Sequence, residues 1–363
     1  MNEDRHWMSH ALALAERGLY STTPNPRVGC VLVRKGVCVG EGFHVRAGGA
    51  HAEIMALLAA KDAAKGATAY VTLEPCSHFG RTPPCSDALI RAGVNRVVVA
   101  MQDPNPLVSG QGIARLRAAG IRVDSGVMAN EAAMLNIGFI FRHQKGRPYL
   151  RSKIAASIDG RTALANGASR WITGEDARLD VHRWRARSCA ILTGIGTVIQ
   201  DNPELTVRHV ATPRQPLCII VDSTLRITPD HALTRFGTHL ITVNDHVSFR
   251  PYEDKGVIVH VVESRDGRVS LESLIACMAQ MELNEILVEA GSVLNGALLD
   301  MGLVDELIVY FAPSVLKNQA RGMFDGNMLE ELEGSNPFRF VESGLVGEDL
   351  KVILRRRSVQ GLI

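Results

Sequence analysis

Four residues between positions 51 and 85 have side chains that could do chemistry together. His51 and Glu53 stand two apart in H-A-E, Cys76 follows Pro75, and Cys85 closes P-P-C. An imidazole and two thiolates are good ligands for a tetrahedral zinc, and a fourth position left to water is what separates a catalytic centre from a structural one. Glu53 then has a role. A carboxylate two residues from a zinc-binding His, and not needed as a ligand, can take a proton from metal-activated water and pass it to a leaving amine.

Taken singly these residues are ordinary, since a lone His or Cys is more often packed or solvated than metal-bound. Their combination is more specific. H-x-E opens an apolar helix (Ile54, Leu57, Leu58), and a strand at 69–73 runs into E-P-C, so His51, Glu53 and Cys76 fall at adjoining element ends. This is the arrangement of zinc deaminases, whose common signature closes P-C-x-x-C. Here eight residues, S-H-F-G-R-T-P-P, separate Cys76 from Cys85.

The elements around these residues follow from periodicity. Residues 3–17 space Trp7, Ala11, Leu12, Leu14 and Ala15 along one helix face, with Glu3 and Asp4 at the favourable N-terminal end. Apolar runs at 28–33 and 37–42 flank Arg34-Lys35-Gly36 as a hairpin. Beyond the first metal ligands, strands at 69–73, 96–100 and 121–123 alternate with helices at 85–92, 113–119 and 131–141, which predicts an α/β layer with mostly parallel later strands. Q-K-G-R-P at 144–148 breaks the pattern and marks the domain boundary, dividing the chain into 1–146 and 147–363.

The chain is 363 residues long, which suits two cores rather than one. With 46% hydrophobic and 21% charged residues it is globular, and a net charge of +2 offers no basic field to attract nucleic acid. The N-terminus lacks a signal-peptide pattern, and no apolar run approaches the ~20 residues of a membrane span. Seven scattered cysteines point to reduced thiols. These features predict a cytoplasmic protein that engages neither nucleic acid nor membrane; a small-molecule substrate and a homo-oligomer are expected beside them, though not from composition.

The second half restarts the alternation. Strands are expected at 149–155, 190–193, 217–221, 239–243, 257–262 and 285–289, with helices at 175–187, 271–281 and 293–301. The 285–289 strand feeds A-G-S and then a helix, where unpaired backbone N–H groups could hold an anion. A plain tight turn is the alternative, and G-x-G-x-x-G is absent from the chain.

P-N-P-R-V-G (24–29), H-A-E (51–53) and E-P-C-S-H-F-G-R-T-P-P-C (74–85) resemble the deaminase half of the bifunctional riboflavin-biosynthesis deaminase and reductase family, including its eight-residue gap. In the second half, K-I-A-A-S-I-D-G-R-T-A (153–163), S-R-W-I (169–172), G-I-G-T-V-I-Q-D-N-P-E-L-T-V-R (194–208) and E-A-G-S (289–292) are similar to that family's reductase domain. The resemblance implies a cytidine-deaminase-like three-layer αβα domain followed by a dihydrofolate-reductase-like α/β domain. It implies zinc and NADPH as cofactors, and two consecutive steps on one pyrimidine nucleotide: hydrolysis of its 2-amino group, then reduction of the ribosyl group to ribityl.

Carried onto this sequence, the resemblance assigns His51, Cys76 and Cys85 to zinc and Glu53 to the proton shuttle. Asn25, His44 and Arg81 match contacts to the substrate's ring and phosphate. In the reductase half, Ala155, Trp171, Thr197, Asp201, Ser223 and the run Gly291, Ser292, Val293, Leu294, Asn295, Gly296 and Ala297 match cofactor positions. Ser169, Arg185, Leu205, Arg208 and Glu289 match substrate positions. Lys153 and Asp201 are the ionisable pair expected nearest the reacting carbon. Two further readings stay open: a zinc deaminase acting on free nucleosides or tRNA with a second half that only binds, and a binding protein with a structural zinc.

Overall fold

The computed structural model describes residues 3–77, 83–106, 108–327 and 337–362. The chain divides into two compact units, Met1–Gly146 and Arg147–Gly361.

In the first unit, helix α1 (Glu3–Glu16) precedes a hairpin of β1 (Gly29–Arg34) and β2 (Val37–Phe43). The hairpin closes as expected, because Lys35 and Gly36 both take left-handed backbone (φ 51° and 74°), which a two-residue turn of this hand requires. Helix α2 (Ala52–Ala60), β3 (Thr68–Val71), α3 (Cys85–Arg91), β4 (Arg96–Val99), α4 (Gln111–Ala118) and β5 (Arg122–Ser125) continue the alternation. The sheet order is β2-β1-β3-β4-β5; β1 runs antiparallel to both neighbours, and β3, β4 and β5 are parallel.

Period-two alternation then gives the sheet two apolar faces. Cys30, Leu32, Val97 and Val99 pack with α2, α3 and α4, whereas Val31, Val33 and Val98 pack with α1 and with Ala132 of α5 (Ala129–Leu135). This is the three-layer αβα arrangement. One expected helix, 131–141, is two: α5 ends and α6 (Ile137–Lys145) begins at Asn136. The break has a cause. Asn136 is buried and its side chain accepts from the Arg27 N–H (2.8 Å) and donates to the Arg27 carbonyl (2.9 Å), so it clasps another segment at the junction.

The second unit is built on a nine-stranded sheet. Its elements are β6 (Tyr149–Ser157), β7 (Arg161–Ala163), α7 (Glu175–Arg187), β8 (Ala190–Gly194), α8 (Ile195–Asp201), β9 (Leu217–Val221), β10 (Thr238–Thr242), α9 (Arg250–Glu253), β11 (Ile258–Val261), the short pair β12 (Ser264–Arg265) and β13 (Arg268–Val269), α10 (Leu271–Gln280), β14 (Glu285–Val288), α11 (Ser292–Asp300), β15 (Glu306–Ala312), β16 (Arg321–Gly322), β17 (Phe338–Val346) and β18 (Asp349–Arg356). The large sheet runs β11-β10-β9-β8-β14-β6-β15-β18-β17, parallel from β11 to β15 and antiparallel over β18 and β17. Leu274 and Met278 of α10 and Leu298 of α11 cover one face; Ala177 and Val181 of α7, with Ile195 and Val198, cover the other.

The N-terminal ends of the central strands are tied by charge. Arg151 of β6 is buried between Glu285 at the start of β14 and Glu306 at the start of β15, with Nε 2.6 Å from Glu306 Oε1. Arg187 and Arg355 complete the pairing at 2.9 Å each. A buried charge is tolerable only when partnered in this way, and the arrangement fixes strand register. It leaves the opposite, C-terminal strand ends free for a ligand site.

Candidate active sites

In the first unit, α2 lies so close on β2 that a Cβ on Gly40 would meet the Ala56 carbonyl at 2.4 Å, and one on Gly42 would meet the Met55 Cβ at the same distance. The helix therefore buries its small residues, Ala52, Ala56 and Ala60, and with them Glu53, whereas Leu58 is 66% exposed. Glycines opposite alanines, not the leucine stripe, set the helix's rotation. That rotation drives the Glu53 carboxylate into the core beside His51, the N-cap of α2.

Cys76 follows β3 and Cys85 opens α3, and these ends converge. His51 Nδ1 lies 3.6 Å from Cys76 Sγ and 3.3 Å from Cys85 Sγ, and the Cys85 N–H points at Cys76 Sγ (3.3 Å). A tetrahedral zinc at usual bond lengths holds sulfur and nitrogen ligands about 3.6 Å apart. The three donor atoms all lie within 4.8 Å of one another, and among the described residues no further His, Cys, Asp or Glu joins them. The donor set thus fits zinc with a position to spare. Hydrogen bonding from Cys85, ahead of that with His51, holds the Cys76 thiol below its usual range, which favours a thiolate there. Burial pushes the Glu53 carboxyl up to about 7, against the pull of His51, which suits a group that takes and gives a proton near neutrality.

His44 and Asn25 stand beside this centre. The His44 ring is 5.5 Å from that of His51, its Nδ1 faces the Ala50 carbonyl at 3.0 Å, and its Nε2 is 3.0 Å from Asn25 Nδ2. A carbonyl only accepts, so the proton is on Nδ1 and Nε2 accepts from the amide. Burial lowers the His44 pKa and keeps this neutral form. Arg81 lies outside the described residues.

Glu74 escaped the sequence analysis. Buried two residues before Cys76, its carboxylate accepts from the N–H groups of Gly112 (2.9 Å) and Ile113 (3.1 Å) through Oε1, and of Gly110 (2.9 Å) and Asp103 (3.1 Å) through Oε2. It caps α4 from outside that helix. Gly112 makes the approach possible: a Cβ there would meet the Pro75 carbonyl at 1.9 Å. Together they clamp the Pro75-Cys76 turn.

In the second unit a cavity of about 1320 Å³ opens at the C-terminal ends of the parallel strands. Lys153, Ala155, Ser169, Trp171, Arg185 and Glu289 line it, as do Thr197, Asp201, Leu205, Arg208, Ser223, Gly291, Ser292, Val293, Leu294, Asn295 and Ala297. Gly296 does not. A Cβ at Gly296 would meet the Asp325 carbonyl at 2.1 Å, so this glycine serves packing. Asn295 is likewise bound inward, accepting from Ser152 Oγ (2.7 Å) and donating to the Ala290 carbonyl (2.8 Å). Gly291 has ordinary backbone (φ −72°) and a Cβ there would find Thr197 Oγ1 at 3.6 Å, so nothing in the chain itself excludes a side chain.

Within the cavity the ionisable groups are sorted. Arg185 and Glu289 form a two-point pair at 2.6 and 2.8 Å, with the guanidinium also donating to the Thr206 carbonyl (3.0 Å). Arg208 pairs with exposed Glu204 and with Thr206 Oγ1 (3.1 Å). Ser169 donates to Asp201 at 3.0 Å, joining a substrate position to a cofactor position. Burial lowers the Lys153 pKa, opposed by Glu289, and its ammonium faces the Tyr310 ring at 5.9 Å. His182, also missed in the sequence, lines the cavity and accepts the Arg208 N–H (3.2 Å); burial and then Arg185 hold it down to about 4.

Comparison with known proteins gives two family-model matches. A family model described as the cytidine and deoxycytidylate deaminase zinc-binding region matches residues 1–101, and one described as the RibD C-terminal domain matches residues 148–352. The chain is 48% identical over 360 residues to the riboflavin biosynthesis protein RibD of Escherichia coli, covering 96% of this chain and 98% of that one. It is 40% identical to the protein of the same name from Aquifex aeolicus, covering 97% and 98%. Among solved structures, Acinetobacter baumannii RibD superposes with a TM-score of 0.91 at 43% identity over 98% of this chain and 99% of the other. A Thermotoga maritima diaminohydroxyphosphoribosylaminopyrimidine deaminase/5-amino-6-(5-phosphoribosylamino)uracil reductase superposes at 0.88 and 32% identity, with the same coverage.

Proposed function

The chain belongs to the RibD family of bifunctional riboflavin-biosynthesis deaminases and reductases, and from that premise we propose how its residues share the two reactions. It is a zinc-dependent deaminase and an NADPH-dependent reductase: it hydrolyses the 2-amino group of 2,5-diamino-6-ribosylamino-4(3H)-pyrimidinone 5′-phosphate and reduces the product's ribosyl group to ribityl, giving 5-amino-6-ribitylamino-uracil 5′-phosphate.

Residues 1–146 form the deaminase in this reading. His51, Cys76 and Cys85 hold zinc, which supplies the Lewis acidity that lets water attack at neutral pH. Glu53 receives a proton and returns it to the departing amine, since its buried carboxyl titrates near 7. His44 and Asn25 present fixed hydrogen-bonding groups to the pyrimidine, and Arg81 is assigned to the phosphate.

Residues 147–363 form the reductase. NADPH supplies the hydride. The first turn of α11 offers its free N–H groups and positive end to the pyrophosphate, and Ser223, Thr197, Trp171 and Ala155 line the rest of the cofactor's path. Because Arg185 and Glu289 neutralise one another, Lys153 on β6 is the neighbouring cation that steadies charge building on the ribosyl oxygen. Asp201, oriented by Ser169, positions the sugar or relays its proton.

Two coarser features complete the reading. None of the seven cysteines is in a disulfide and no described helix is long and apolar enough to cross a membrane, which supports a cytoplasmic location. Edge strand β17 exposes Phe340 and Leu345, each 75% accessible, and such an edge supports self-association of the chain.

The observation that carries the proposal is that each unit holds its own site: a three-donor centre beside a buried Glu in one, a lined cavity in the other. Ammonia release and NADPH oxidation, measured on the purified chain with the diaminopyrimidine phosphate, test it. A zinc chelator should stop the first and spare reduction of the already deaminated substrate; loss of both together would refute independent sites.

A further inference from the structure

Of the residues that match substrate positions, Leu205 and Arg208 lie on a segment, 202–208, that has no regular secondary structure. It leaves α8 at Asn202, where the backbone is left-handed (φ 40°). Side chains on such a segment are placed only as well as the segment itself is held.

Helix α7 supplies two of the holds, from residues at i and i+3 on one face. Arg185 donates to the Thr206 carbonyl at 3.0 Å, and His182 Nδ1 accepts the Arg208 N–H at 3.2 Å. The His182 ring also meets the His209 ring edge-on, with centroids 4.7 Å apart. Gln215 clamps Val207 (2.7 and 3.0 Å) and Arg235 donates to the Glu204 carbonyl (2.8 Å), but it is the α7 bonds that set the segment against Arg185 and Glu289.

The two α7 holds are not alike. Arg185 is itself a substrate position, and its guanidinium is already divided between Glu289 and Thr206. His182 is 4% exposed and lines the same cavity, and its bond to the segment fixes its chemical form. A backbone N–H only donates, so Nδ1 is the bare nitrogen and the ring proton sits on Nε2. An imidazolium would turn a second N–H against the first. Burial, then Arg185 and Arg208 with His209 beside them, opposes that charged form more than Glu289 favours it, holding the His182 pKa down to about 4.

We propose that His182 is a positioning residue of the reductase: its bare Nδ1 fixes the 202–208 segment on α7, so that Leu205 and Arg208 meet the substrate in one arrangement without relying on Arg185 to hold them there. The proposal rests on the reading that the ribosyl substrate enters this cavity.

Three full-length variants separate the roles of the two ring nitrogens. His182→Leu removes both and leaves the Arg208 N–H without its acceptor, so KM for the deaminated pyrimidine should rise about 10- to 100-fold. KM for NADPH should stay within about twofold of the parent, and ammonia release should be unchanged. His182→Asn sets an oxygen acceptor close to where Nδ1 lies and should recover most of the loss, whereas His182→Gln reaches towards the Nε2 position and should not. If the Leu variant does not fold, the two amide variants decide, because they differ in where the acceptor sits and not in polarity. An Asn variant no better than the Gln variant, or a loss of NADPH binding in both, overturns the positioning role. Recovery by Gln alone overturns it as well, by making His182 a direct donor to the substrate through Nε2. Failure of the parent chain to reduce the deaminated pyrimidine overturns the cavity reading itself.

Discussion

At the scale of single residues, the two reactions should come apart cleanly. Glu53→Gln keeps the shape of the side chain but cannot carry a proton, while the three metal donors remain. Zinc content should stay at the parent level and deamination fall by about 10²- to 10⁴-fold, with reduction of the deaminated intermediate unchanged. Metal analysis alongside both assays checks this, and joint loss of zinc and activity would show that Glu53 holds the metal site together instead. Asp201→Asn gives the mirror image. It retains an acceptor for Ser169 but loses the charge and the proton capacity, so kcat for reduction should drop about 10²-fold or more while ammonia release persists. Much of this chemistry was legible because H-A-E and E-P-C are short, local and chemically unusual. Glu74 was not, since nothing before Cys76 announces that four amides from a segment some 30 residues later converge on that carboxylate.

Helices and strands show the same limit in a different form. Periodicity located α7 and β9 at their observed bounds, because a charged helix and a buried β-branched run are each strong local signals. It gave α2 as an apolar helix without its buried face, since the deciding feature is a pair of glycines on another element, Gly40 and Gly42. It assigned nothing beyond Met301, where β17 mixes exposed apolar and polar residues and carries a bulge between Phe340 and Glu342 that breaks the alternation. Two predictions belong to this scale. Glu74→Gln replaces one acceptor oxygen with a donor facing two N–H groups, so the Pro75-Cys76 turn should loosen; zinc affinity in chelator competition should weaken about 10- to 100-fold, with reduction untouched. On β10 and β11, His239 and His260 stack at 5.2 Å with Nδ1 and Nε2 2.9 Å apart, one neutral ring donating to the other. Burial, then His260, holds His239 down to about 4, below its ordinary value near 6.5. Its neutral form is favoured by folding, so that contribution is complete above pH 6.5 and is lost as pH falls towards 4. Urea unfolding at pH 7 and pH 4.5 should show a loss of up to about 3 kcal/mol that His239→Gln removes.

For the whole molecule, the question is whether two units in one chain are two folding units. Each has its own sheet and its own apolar clusters: the first unit's core is made from Cys30, Leu32, Val97 and their partners on α2 to α4, with Met8 and Val31 on the other face. The chain passes between units at Gly146, whose left-handed backbone (φ 68°) ends α6, immediately before Arg147 and Pro148. A glycine stop with a proline soon after it closes a helix and leaves the next segment free to start a different element. The metal donors and Glu53 all fall within the first unit, so a fragment of residues 1–146 contains every group assigned to deamination. We therefore expect that fragment to be soluble, to bind one zinc per chain and to unfold in a single transition at a denaturant midpoint lowered by chelator, because metal binding to the folded state adds directly to its stability. Atomic absorption and chelator-dependent unfolding on the purified fragment decide the matter: an insoluble fragment, or a soluble one without zinc, would mean that the second unit supplies folding free energy that the first lacks.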